Sequence, residues 1–177
     1  MVILQEIFAV SIAGIAVYID LRYRRIPNSL VAIGFLLGLA LNLVEMGLKG
    51  LLFSLGGGFL GIALLFIPFA LGGMGAGDVK LLGALGALVG PRGVFFTMVY
   101  GALAGGVMAV LLLVRHRRLI ITLKSIAFGL ILFLSGAWGG RPRSFCQGSG
   151  DGVSISFPYS LALGVGLIVM LALHRVG

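Results

Sequence analysis

What most limits the fold of this chain is the near-continuous run of apolar stretches along its 177 residues. Residues 2–20, 29–47, 51–73, 74–90, 91–114 and 157–174 read as six candidate membrane spans. A soluble domain carries charge on about a quarter of its residues. Here 10% are charged and 60% are hydrophobic. The apolar excess is not confined to one segment, which excludes a soluble domain with a single anchor. It predicts an all-α membrane protein, one polytopic domain over residues 1–177, built as a bundle of about six transmembrane helices. The net charge of +8 does not point to nucleic acid, because the basic residues form no stripe on a soluble fold. They cluster between the apolar stretches, as cytoplasmic loops do.

Those clusters set a topology. Arg22, Arg24 and Arg25 follow the first span, and Arg115, Arg117, Arg118 and Lys124 follow the span at 91–114. Both groups are expected on the cytoplasmic side, which places the N-terminus outside a multi-pass protein of the cytoplasmic membrane. The opening Met1-Val2-Ile3-Leu4-Gln5-Glu6 lacks the basic region of a cleaved signal, so the first span is expected to be retained. Residues 119–138 allow two readings, a further crossing or a cytoplasmic interfacial helix. The basic run ahead of them suits anionic headgroups and favours the interfacial helix, with membrane lipids as partners. Residues 79–90 would rise roughly 18 Å as a helix, short of a core of about 30 Å. That helix therefore starts near Met74 or is enclosed by its neighbours. Small residues four apart, such as Gly57 with Gly61 and Gly101 with Gly105, read as close helix contacts without chemistry.

The chemistry rests on five acidic residues, Glu6, Asp20, Glu45, Asp78 and Asp151. A carboxylate at membrane depth is costly, so one found there points to function. Asp20 ends the first span, ahead of Arg25-Ile26-Pro27-Asn28. Asp78 ends the turn Gly75-Ala76-Gly77-Asp78, ahead of Val79 and Lys80. Counting spans puts both on the cytoplasmic side. Two carboxyl groups at matching depth can share one proton and activate a water for peptide hydrolysis. Gly75 and Gly77 would leave room for an extended peptide beside Asp78, and Lys80 is a candidate for tuning the pair. Pro27, Asn28 and Ser29 are expected to cap a helix from Leu30. His116 and His174 fit neither a metal cluster nor a serine triad, so no metal and no cofactor is expected. Carboxylates in broken membrane helices also suit a small ion-coupled transporter, although the chain shows no inverted repeat.

Asp20 with Arg25-Ile26-Pro27-Asn28, then Gly75-Ala76-Gly77-Asp78-Val79-Lys80-Leu81, resembles the type IV prepilin peptidase family, which includes archaeal preflagellin peptidases. The resemblance covers nearly the whole chain, including Phe157-Pro158-Tyr159 at the start of the last span. The glycine–aspartate motif alone is also similar to presenilin-type proteases. There the first aspartate follows a tyrosine, whereas Ile19 precedes Asp20 here. The resemblance implies an aspartic endopeptidase with Asp20 and Asp78 as its catalytic pair at the cytoplasmic face. Gly75, Gly77, Lys80, Arg25, Pro27, Asn28, Pro158 and Tyr159 would bind substrate or shape the site. The substrate would be a prepilin-like protein, cut after a glycine at the end of a short basic leader. Many bacterial members carry an extra cytoplasmic domain with paired cysteines and also methylate the new N-terminus. This chain has no room for that domain between residues 20 and 29, and its one cysteine is Cys146. It is similar to the short, peptidase-only branch, without N-methyltransferase activity.

Overall fold

The computed structural model describes residues 2–71, 74–115 and 159–176. They form α1 (Val2–Tyr23), α2 (Asn28–Met46), α3 (Leu48–Ala70), α4 (Ala76–Arg115) and α5 (Tyr159–Val176), with no strand among the described residues. The chain divides into two units, Met1–Gly105 with Pro158–Gly177, and Gly106–Phe157. Of the second, the end of α4 is described; every contact below lies in the first. Among the described residues, four helices are long and apolar enough to cross a membrane: Ile3–Tyr23, Asn28–Met46, Leu48–Ala70 and Ala76–Met108. Tyr159–Leu173 is a shorter apolar helix. The expected boundary between 74–90 and 91–114 falls at Gly90, where α4 leaves helical geometry at φ 76° and ψ 179°, just before Pro91. The segment 119–138 lies outside the described residues.

Two local expectations are corrected. α1 does not end at Asp20 but continues to Tyr23. It stops where Arg24 turns to φ 52° and its N–H bonds the Asp20 carbonyl at 2.8 Å, a left-handed C-cap. α2 starts at Asn28, not Leu30, with Pro27 at its N-cap and no side-chain cap bond. The fixed φ of Pro27 ends the loop, and the Asn28 side chain is engaged elsewhere.

On α2 and α3 most of the buried positions are small residues and most large apolar side chains face outward. The buried positions of α2 are Gly34, Gly38 and Asn42, four apart along one face. Those of α3 include Gly50, Ser54, Gly57, Gly58 and Gly61. Val44, Leu48 and Phe59 are 73%, 77% and 76% exposed. That distribution suits lipid, where apolar side chains gain nothing by leaving the surface and small ones let backbones approach. A Cβ on Gly57 would lie 2.1 Å from the Gly86 carbonyl oxygen, so α3 and α4 touch backbone to backbone. Residues 81–88 of α4 are all buried. Leu81 and Leu85 pack with Ala13 of α1 and Leu167 of α5, while Leu82 packs with Leu65 of α3. The first part of α4 thus starts at Ala76, close to Met74, and is also enclosed by its neighbours, so both sequence alternatives apply.

The break at Gly90 has a chemical partner. Pro91 has no N–H to give the Ala87 carbonyl, its normal helical acceptor four residues back. Asn42 Nδ2 and Ser54 Oγ donate to that carbonyl instead, at 3.1 and 2.8 Å. Both also donate to the Gly38 carbonyl, each at 3.0 Å. Gln5 Nε2 completes the group by donating to Asn42 Oδ1 at 3.2 Å and Glu45 Oε2 at 2.8 Å. Asn42→Leu strands buried acceptors and is expected to lower stability by roughly 1–2 kcal/mol, with Ser54→Ala close behind. Unfolding in mixed detergent reads this directly, and an unchanged midpoint for Asn42→Leu contradicts it.

Candidate active site

Asp20 projects from the last full turn of α1 and Asp78 from the first turn of α4. α4 starts sharply: the Asp78 N–H bonds the Gly75 carbonyl at 3.2 Å, and the helix begins at Ala76. Its first turn meets the loop between α1 and α2. A Cβ on Gly77 would lie 3.3 Å from Ile26 Cβ, so a side chain there would press on the loop. One turn on, Lys80 Nζ donates to Asn28 Oδ1 at 3.0 Å on the surface. These contacts clasp the two aspartate-bearing segments together.

Both carboxyl groups are half-buried. Asp20 is near enough for its charge to act on Asp78, and Asp78 acts in the same way on Tyr159 at the start of α5. Oδ1 of Asp78 is buried and, among the described residues, has no hydrogen-bond partner. Gly75 stands beside the other oxygen: a Cβ there would lie 3.6 Å from Asp78 Oδ2. The structure therefore gathers Asp20, Asp78, Gly75, Gly77 and Tyr159 at one end of the bundle, with Asn28 and Lys80 at the rim. Pro27 is half-buried and Arg25 is exposed on the loop. Pro158 lies outside the described residues. No group of three His, Cys, Asp or Glu side chains is placed to hold a metal ion among the described residues. Two carboxyl groups close enough for one to feel the other's charge are suited to acid–base chemistry.

One residue of this site escaped sequence reasoning. Ser160 is fully buried on α5, and its hydroxyl donates to Asp20 Oδ2 at 2.5 Å, across 140 residues of chain. The available signal was a small polar side chain at the start of an apolar span, directly after Tyr159. Small hydroxyls are common in membrane helices, so that signal is weak.

Against known proteins, the sequence model of the type IV leader peptidase family matches residues 7–110, more than half of the chain. The chain belongs to the type IV leader peptidase family. No curated protein and no solved structure matches it. The range matched by the leader peptidase model holds both aspartate motifs and the whole clasp between them. It ends before Tyr159 and Ser160, so the placement of α5 beside Asp20 in this leader peptidase comes from the structure alone.

Proposed function

We propose that this leader peptidase is an aspartic endopeptidase that removes the short basic leader of prepilin-like or preflagellin-like proteins, cutting after a leader glycine. The observation that carries the reading is the meeting of Asp20 and Asp78 at one end of the bundle, in a chain of the leader peptidase family. The positive charge of Arg22, Arg24 and Arg25 beside Asp20 supports placing that end at the cytoplasmic face of the membrane, with the N-terminus outside. Anionic lipids there would hold a basic leader while the apolar helix behind it stays in the bilayer. Division of α4 at Gly90 supports counting six spans.

In the reaction, one aspartate takes a proton from water as the water oxygen attacks the scissile carbonyl carbon. The other gives its proton to the carbonyl oxygen. As the tetrahedral intermediate collapses, the first aspartate passes the proton taken from water to the amide nitrogen, a hydroxyl proton returns to the second aspartate, and the C–N bond breaks. The products are a leader ending in a carboxylate and a mature protein with a free amine. Oδ1 of Asp78, buried and without a hydrogen-bond partner among the described residues, is suited to meet the water or the carbonyl. Gly75 leaves the adjoining space open to an extended backbone.

The test is purified protein in detergent, mixed with prepilins carrying their leaders, the new N-terminus being read by mass spectrometry. Cleavage after the leader glycine is the expected result. A folded protein that cuts none of several prepilins defeats the proposal and returns weight to an ion-coupled carrier. The clasp gives a finer expectation. Gly77→Ala is expected to slow cleavage about tenfold by moving Ile26 and the first turn of α4 apart. Gly75→Ala, whose Cβ meets ordinary contact distances, should still fold fully. Equal activity of Gly77→Ala and wild type would show that the clasp does not govern the pair.

A further inference from the structure

A buried hydroxyl needs a hydrogen-bond partner, and that of Ser160 finds one outside its own helix, on Asp20. Ser160 sits at the start of α5, fully buried, and its hydrogen bond reaches a different helix. α1 and α5 pack directly against each other, so the contact lies on a fixed helix–helix seam. A carboxylate has two oxygens and several acceptor directions. A donor fixed on one oxygen limits rotation about the Cβ–Cγ bond and settles which oxygen faces the partner carboxyl group. Asp78, by contrast, has one buried oxygen with no partner among the described residues. The two members of the pair are therefore held differently, Asp20 by a side-chain hydroxyl from another helix and Asp78 by the backbone of Gly75 just ahead of it.

We infer that Ser160 is a positioning residue for the leader peptidase reaction: by donating to Oδ2 it orients the Asp20 carboxyl group so that Oδ1 is presented to the attacking water. The inference rests on the aspartic peptidase reading of the same site. Ser160 itself touches no reacting atom. It acts through Asp20, and its loss is expected to appear in the chemical step and not in substrate binding. Misplacing a reacting group by a fraction of an ångström to an ångström lowers turnover by roughly 10- to 100-fold. Ser160→Ala is expected to lose that much in kcat with KM little changed, and Ser160→Thr, which keeps the hydroxyl, to recover most of it.

The experiment joins kinetics with infrared spectroscopy on the full-length protein in detergent. The carboxyl band of Asp20 is isolated as the difference between wild type and Asp20→Asn. Ser160→Ala is expected to shift that band and Ser160→Thr to return it toward the wild-type position, with all variants monodisperse. Should wild type cleave prepilin and Ser160→Ala leave both band and kcat unmoved, the positioning role is overturned and the peptidase reading stands. The role is also overturned if Ser160→Ala loses activity only in proportion to lost folded protein, with no change in the band. If wild type cleaves nothing while Ser160→Ala still shifts the band, the contact holds, and the catalytic reading falls together with the role built on it.

Discussion

Asp20→Asn and Asp78→Asn are each expected to lower leader cleavage by roughly a thousandfold or more, and the double variant to fall little further. The lack of additivity follows from the geometry. The charge of Asp20 reaches Asp78, and in the proposed reaction one carboxyl group takes a proton while the other gives one, so removing either disables both. Asparagine keeps the shape of the side chain, and at position 20 its carbonyl oxygen can still accept from Ser160. Folding should therefore survive while chemistry is lost. Single-turnover cleavage of a prepilin by the three variants measures this. Two single losses that multiply in the double variant would mean that the aspartates serve separate steps.

The largest expected effect on stability is at the contact between α3 and α4. A Cβ on Gly57 would lie 2.1 Å from the Gly86 carbonyl oxygen, and one on Gly86 would lie 2.2 Å from the Gly57 carbonyl oxygen. The obstacle in each case is backbone, which cannot rotate out of the way. Gly57→Ala and Gly86→Ala must push the helices apart and are each expected to cost roughly 1–3 kcal/mol. Gly14→Ala supplies the control, since a Cβ there meets nothing within 4 Å. It should be neutral or slightly stabilising through better helix propensity. The three variants differ by the same methyl group, so unfolding midpoints in detergent separate contact from propensity. α4 carries Asp78, so the two damaging changes should also reduce cleavage. Equal midpoints for Gly14→Ala and Gly86→Ala would show that the close approach contributes nothing.

Hydropathy alone located most helices, because a span without charge has few alternatives in lipid. Asp20 and Asp78 stand out as candidates for the related reason that charge at that depth is costly. Recognition of the family needed both motifs together, since Gly75-Ala76-Gly77-Asp78 by itself also describes a turn with a helix start. Other features were hidden by the same physics. Apolar side chains face lipid and neighbours alike, so periodicity did not show that residues 81–88 are buried on every side. Asn42 and Ser54 were passed over because each is one small polar residue in an apolar stretch, and their purpose depends on Pro91, far along the chain. The end of α1 was misplaced by three residues. Asp20 looked like a terminus, while the real stop is the backbone turn at Arg24.

The bare carbonyl of Ala87 bears on how the protein is made. A chain threaded into a bilayer from its N-terminus delivers α2 and α3 before Pro91 emerges from the ribosome. The hairpin, turned tightly at Gly47, would already hold Asn42 and Ser54 side by side when the break arrives. The exposed acceptor would then never need to wait in hydrocarbon, where an unmet backbone group costs several kcal/mol. On this view the order of the helices along the gene is also an order of insertion, with the earlier pair serving as a receptor for the later one.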